Sequence, residues 1–201
     1  MEVNKLTQTI EIPEGIKAIL FDCDGTLADT LSAHWKAWQD LLEEYMAEVP
    51  LDFLIKFNGM PTEFIVEQIN QSFGLTLPVN EFSARKDLLV TSQLTTTVPI
   101  KPVVELARSQ YGKKAMGVVS GGLRVNVEAT LNAIDCLHLF DHIICADDDF
   151  LSKYQPECFL NLAKLFGVEP EECVLLEDAD LPMQSAKKAG MHVIDVRIFL
   201  S

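Results

Sequence analysis

The sequence predicts an α/β protein: a doubly wound, Rossmann-like parallel sheet with an all-helical segment inserted near its start. Three observations carry this. Short apolar runs rich in branched residues alternate with helical stretches, the pattern of repeated βαβ units. The stretch from 32 to 94 breaks that alternation, offering helical periodicity and no strand. Acidic and hydroxyl residues stand at the predicted carboxyl ends of strands, where open parallel sheets bind their ligands.

In chain order, IKAILFD (16–22), bounded by Gly15 and Gly25, reads as a buried strand. Three helical patterns follow: SAHWKAWQDLLEEYMAE (32–48), TEFIVEQINQSF (62–73) and NEFSARKDLLVTSQL (80–94). Hinges are expected near Asp29 to Ser32 and near Thr95 to Pro99, where TTTVP is polar, β-branched and closed by a helix-incompatible proline. The division is then a core of residues 1–30 and 98–201 and a helical cap of residues 31–97. Beyond it, KKAMGVVS (113–120), HIICAD (142–147), CVLLED (173–178) and MHVIDVR (191–197) read as strands. The helices between them include PVVELARSQYG (102–112), with Pro102 in its first turn and Gly112 as its stop, LRVNVEATLNAI (123–134) and PECFLNLAKLFG (156–167).

Composition narrows the function. The 201 residues are 48% hydrophobic and 23% charged, with neither low-complexity tracts nor a fixed-period repeat, so a packed core is expected. A formal net charge of −14 excludes nucleic acid as an expected partner, since duplex binding rests on basic patches. An acidic protein that handles a phosphorylated small molecule needs a metal ion or local cations. Five cysteines, Cys23, Cys136, Cys145, Cys158 and Cys173, are odd in number and never spaced CxxC, which predicts reduced, mostly buried thiols. No apolar run is long enough to span a bilayer, and MEVNKLTQT lacks the pattern of a signal peptide. A cytoplasmic monomer without a membrane partner is the expectation.

LFDCDGT (20–26) sets two aspartates around a cysteine at the end of an apolar strand. Side chains alternate along extended chain, so Asp22 and Asp24 share a face and Cys23 packs on the other. Adjacent carboxylates repel unless a cation intervenes, and Mg²⁺ suits such oxygen ligands together with substrate phosphate. Asp178, after CVLLE, can supply a further carboxylate, or it can cap a helix. Ser120, followed by Gly121 and Gly122, is either a plain N-cap or part of a phosphate cradle. Lys153, alone in the acidic stretch 147–157, is either solvated or set to neutralise phosphate. His34 and Trp38, one helical turn apart, can face the same cleft, although an aromatic stripe can equally pack the helical segment's own core. Arg85 and Lys86 are candidates for gripping a polar or anionic end of the substrate, with a solvated helix face as the alternative for one of them.

Together these residues resemble the haloacid dehalogenase-like phosphatase superfamily over nearly the whole chain. Its four motifs stand in order: DCDGT (22–26), Ser120, Lys153 and LLEDAD (175–180), the last followed by SAKKAGM (185–191). LADTLSAHWKAW (27–38), FNGMPT (57–62) and DVRIFL (195–200) are similar to the helical-cap, β-phosphoglucomutase-like group, above all its fructose-1-phosphatase-type members. The resemblance implies a phosphatase with Asp22 as nucleophile and Asp24 as acid and base, the latter expected to titrate high beside phosphate and other carboxylates. It implies Mg²⁺ held by Asp22, the backbone carbonyl of Asp24 and Asp178, with Glu177 a nearby or indirect ligand. Ser120 and Lys153 would bind the phosphoryl group, and Thr26, Gly121, Gly59, His34 and Trp38 would contact substrate.

Four positions depart from the family pattern. Tyr154 stands where proline usually follows the third-motif lysine, and Pro182-Met183 where Gly-Ile is usual. Thr62 stands where family mutases carry a cap arginine, and Leu123 and Arg124 occupy the region of a further mutase lysine. These last two favour a phosphatase over the alternative, a β-phosphoglucomutase on the same scaffold. A catalytically weakened phosphate-binding protein is the alternative of another class.

Overall fold

The computed structural model describes residues 9–57, 59–94 and 97–199. Thr95 and Thr96 of the expected second hinge, Asn58 of FNGMPT and Leu200 of DVRIFL lie outside the described residues. Five parallel strands form the central sheet: β1 (Ala18–Phe21), β4 (Ala115–Val119), β5 (His142–Ile144), β6 (Cys173–Glu177) and β7 (His192–Asp195). Their spatial order is β5-β4-β1-β6-β7, with Leu20 opposite Gly117 on one side and Leu175 on the other. Strand β1 is thus central. The chain leaves it toward β4 on one flank and returns to β6 on the other, which opens a crevice at its carboxyl end.

Alternation along β1 builds both cores. Ile19 and Phe21 face α5 (Lys101–Gln110) and α6 (Arg124–Ala133), packing with Val103, Val104, Met116, Val127 and Leu131. Ala18 and Leu20 face α7 (Pro156–Phe166) and α8 (Asp180–Lys188), packing with Phe159, Leu162, Leu175 and Ala186. Both faces of a strand covered by helices explain its near-continuous apolar run. Each fully buried Leu, Ile or Phe here contributes about 1.5–3 kcal/mol by leaving water. Cys23 continues the Ile19 and Phe21 face into that core, and all five cysteines are free and buried.

Among the described residues four helices stand between β1 and α5: α1 (Leu31–Glu44), α2 (Leu51–Ile55), α3 (Thr62–Phe73) and α4 (Val79–Gln93). They bury a cluster of their own, with Trp38, Leu41, Leu54, Ile65, Val66, Ile69 and Phe82 at its centre. A two-stranded antiparallel ribbon, β2 (Ala28–Asp29) and β3 (Val98–Pro99), clasps the chain where it enters and leaves this helical layer. The layer also touches α6, through Ala129 against Val90 and Leu94 and through a hydrogen bond from Thr91 Oγ1 to Asn126 Oδ1.

Candidate active site

The carboxyl edge of the sheet gathers the chemistry. Asp22 directly follows β1, Ser120 directly follows β4, Glu177 ends β6 with Asp178 next, and Lys153 comes from the loop between β5 and α7. These five side chains are buried and, with Asp24, line one cavity of about 530 Å³. The helical layer closes the cavity from above with His34, Trp38, Gly59, Thr62, Glu63, Ser83, Lys86 and Asp87.

Lys153 is not solvated. Its ammonium donates to Asp22 Oδ1 at 2.6 Å and to Glu177 Oε2 at 3.0 Å. The other oxygen of Glu177 accepts the backbone N–H groups of Asp178 and Ala179, so this carboxylate holds both the lysine and the turn after β6. Burial opposes the charge on Lys153, but Asp22 and Glu177 outweigh it and hold its pKa well above the usual value. One ammonium still does not balance the site. Burial, reinforced by the charges of Asp178 and Asp24, pushes Asp22 up to about 6 despite its lysine, and burial raises Asp178 as well.

The expectation for Asp24 is set beside phosphate; in the ligand-free site its carboxyl lies on the low side. Burial alone would raise its pKa, yet hydrogen bonds from His34 and Thr30 bring it down to about 2. Thr30 Oγ1 donates to Asp24 Oδ1 at 2.6 Å, and His34 Nε2 stands 3.5 Å from the same oxygen. Lys86, buried beneath Trp38, donates to His34 Nδ1 at 3.2 Å, which leaves the Nε2 proton facing Asp24. A relay from Lys86 through His34 thus ties the helical layer to the second aspartate. Thr30 carries no separate sign in the sequence, because a threonine before a helix reads as an N-cap; here its hydroxyl turns to Asp24 and leaves the helix uncapped.

Ser120 is not an N-cap either. Helix α6 begins at Arg124, whose N–H is capped by Asp147, while Ser120 Oγ accepts the N–H of Gly122 and faces the cavity. Gly25 has a left-handed φ of +83°, and a β-carbon there would stand 2.5 Å from Asp178 Oδ2. No other residue lets the first motif turn so close to that carboxylate. Pro182 lies in the first turn of α8, whose first intrahelical bond is made by Met183 N–H to Ala179, so the proline forfeits no hydrogen bond.

Trp38 both packs and lines: its ring lies against Phe82, tilted, with centroids 5.3 Å apart, and it also borders the cavity. Two expected contacts are not brought to the cavity. Thr26 is fully buried behind the first motif with no partner for its hydroxyl, and Arg85 is drawn away by Glu44, 2.5 Å from its guanidinium, and by the ring of Tyr45. Glu63 and Ser83, which the sequence did not single out, are hydrogen-bonded to each other at 2.6 Å on the cavity wall.

A metal ion is fitted by what is present. Asp22, Glu177 and Asp178 offer carboxylate oxygens within 4.8 Å of one another, an oxygen-only set suited to a hard dication. Lys153 takes one oxygen of Asp22 and both oxygens of Glu177 are engaged, so Asp178 and the second oxygen of Asp22 are the freer donors.

A haloacid dehalogenase-like hydrolase family model matches residues 19–196. The chain is 35% identical over 185 residues to fructose-1-phosphate phosphatase YqaB of Escherichia coli (strain K12), covering 92% of this chain and 98% of that protein. It is 28% identical to a validoxylamine A 7'-phosphate phosphatase of Streptomyces hygroscopicus subsp. limoneus, covering 89% of this chain and 84% of that one. Its fold superimposes on the crystal structure of β-phosphoglucomutase from Clostridium difficile with a TM-score of 0.76 at 22% identity, covering 90% and 84% of the two chains. The chain belongs to the haloacid dehalogenase-like hydrolase family, as a phosphoric monoester hydrolase.

Proposed function

We propose that this protein is a Mg²⁺-dependent phosphatase that hydrolyses a small sugar phosphate such as fructose 1-phosphate through an aspartyl-phosphate on Asp22. The observation that carries the reading is the buried Lys153–Asp22 pair in the wall of a cavity which Ser120, Asp24 and Asp178 also line. Asp22, at the end of a rigid central strand, attacks phosphorus as the ester P–O bond breaks. Asp24 returns a proton to the departing alkoxide. Its carboxylate is ionised in the ligand-free site, and a phosphate dianion arriving beside it raises its pKa toward the acid form. In the second step water attacks phosphorus, Asp24 takes the proton and Asp22 is released. Ser120, the N–H groups of the 121–122 turn and Lys153 hold the phosphoryl oxygens. Mg²⁺, held by Asp22, Asp178 and the backbone carbonyl of Asp24 with Glu177 supporting indirectly, would offset the charge that one lysine leaves unbalanced.

In this reading residues 31–97 act as the cap and residues 1–30 and 98–201 as the core, with the β2–β3 ribbon as their hinge. The cap wall favours hydrolysis over mutase action. Lys86 is engaged with His34, while Glu63 and Asp87 are acidic and Thr62 and Ser83 are hydroxyls. Such a wall suits a polyhydroxylated leaving group and holds a second phosphate poorly. The protein is taken to work as a monomer in the cytoplasm; among the described residues no helix is long and apolar enough to cross a membrane.

The test is release of phosphate and the identity of the organic product from fructose 1-phosphate, β-glucose 1-phosphate, 6-phosphogluconate and phosphoglycolate, with and without Mg²⁺. Mg²⁺-dependent phosphate release, greatest for a sugar phosphate, is expected. Conversion of β-glucose 1-phosphate to glucose 6-phosphate without phosphate release would replace the phosphatase with a mutase.

A further inference from the structure

Tyr154 follows Lys153 in the loop before α7 and lines the same cavity. Its backbone is anchored from α8, where Ser185 Oγ donates to the Tyr154 carbonyl at 2.8 Å. Its phenol oxygen is enclosed, and no hydrogen-bond partner meets it. Thr26 Oγ1 shares that condition among the described residues, but it lies away from the cavity. A buried hydroxyl without a partner costs the fold stability, so its retention calls for a physical reason.

The surroundings indicate one. A β-carbon placed on Gly121 would lie 3.0 Å from Tyr154 Oη and 3.8 Å from Lys153 Cε, so the phenol stands over the turn after Ser120, beside the lysine stem. The carbonyl of Gly59, in the loop before α3, comes within 3.4 Å of the same point, so the hydroxyl sits where the helical layer meets that turn. An anion bridging Ser120, Gly121 and Lys153 would bring an acceptor to this hydroxyl.

We propose that Tyr154 Oη donates a hydrogen bond to a non-bridging oxygen of the substrate's phosphoryl group, making Tyr154 a substrate-contacting residue of this site. The inference rests on the phosphatase reading above. A phenol suits the task because it is a neutral donor at ordinary pH, adding a hydrogen bond without adding charge to the ion network already there.

Tyr154→Phe isolates the hydroxyl. With fructose 1-phosphate and Mg²⁺, kcat/KM is expected to fall about tenfold to a hundredfold, the range for a hydrogen bond to a charged group. The inhibition constant of inorganic phosphate should weaken with it. The Tm of the ligand-free protein should stay level or rise, because the variant gives up a buried hydroxyl that has no partner. Unchanged kcat/KM and unchanged phosphate inhibition would overturn the proposal, as would a fall in ligand-free Tm with phosphate affinity intact, which marks a structural hydroxyl. Wild-type protein that neither binds phosphate nor releases it would defeat the phosphatase reading first, and the proposal with it.

Discussion

Asp22 and Asp24 stand two residues apart and are held in opposite electrostatic states. Burial, with carboxylates beside it, pushes Asp22 up to about 6, whereas hydrogen bonds from His34 and Thr30 overcome burial and hold Asp24 at about 2. In the metal-free protein these shifts act on stability with opposite sign. Asp22 binds its proton more tightly folded than unfolded, so its contribution is full below 3.8 and is lost as pH rises through about 6. The contribution of Asp24 is present above 3.8 and is lost as pH falls toward about 2. Asp22→Asn is therefore expected to raise the Tm of metal-free protein at about pH 7.5 and to lose most of that advantage near pH 4. Thermal melts of the two proteins in chelator at both pH values check this; a variant less stable than wild type at the higher pH would contradict it. Much at this scale is legible in sequence. The alternation that turns Cys23 into the core and both aspartates to the crevice follows from strand geometry alone. The direction of the Asp24 shift is not legible, because it depends on Thr30 and His34 folding back onto it across a turn.

At the scale of elements, the site depends on two close approaches between loops. The first motif turns over Asp178 at Gly25, with φ of +83° and room for no β-carbon. Gly25→Ala is expected to combine strain of about 1–3 kcal/mol with displacement of Asp178. A Mg²⁺ titration of phosphatase activity should then show a half-saturating concentration raised at least about tenfold, the equivalent of roughly 1.4 kcal/mol; an unchanged titration would mean that Gly25 serves only the turn. Helix α3 was expected over 62–73 and runs from Thr62 to Phe73, and the expected strands 16–22, 113–120, 142–147, 173–178 and 191–197 each contain an observed one. Apolar periodicity with glycine or proline punctuation carried that much. Helix α2, of five residues, and the β2–β3 ribbon, of two-residue strands, are too short to show a period. Pro182 reads from sequence as a disturbance, yet in the first turn of α8 it disturbs nothing.

At the scale of the molecule, strand order makes the site. With β1 between β4 and β6, the aspartate after β1, the serine after β4 and the acids at the end of β6 meet at one edge, and residues of the inserted helices line the same cavity. The alternation of strands and helices predicts a parallel sheet but does not give this order, which is set by which helices cover which face. At this edge the buried carboxylates Asp22, Glu177 and Asp178 outnumber Lys153, and in the proposed mechanism a dication would offset that excess for an incoming phosphate. The central claim is that Asp22 carries the phosphoryl group. Its most direct test is peptide mass spectrometry of enzyme mixed with fructose 1-phosphate and Mg²⁺ and quenched in acid within a turnover. One added phosphoryl group is expected on the peptide containing Asp22, absent in Asp22→Asn and absent without Mg²⁺. Rapid turnover with no phosphoryl group on that peptide, or undiminished turnover by Asp22→Asn, would contradict it.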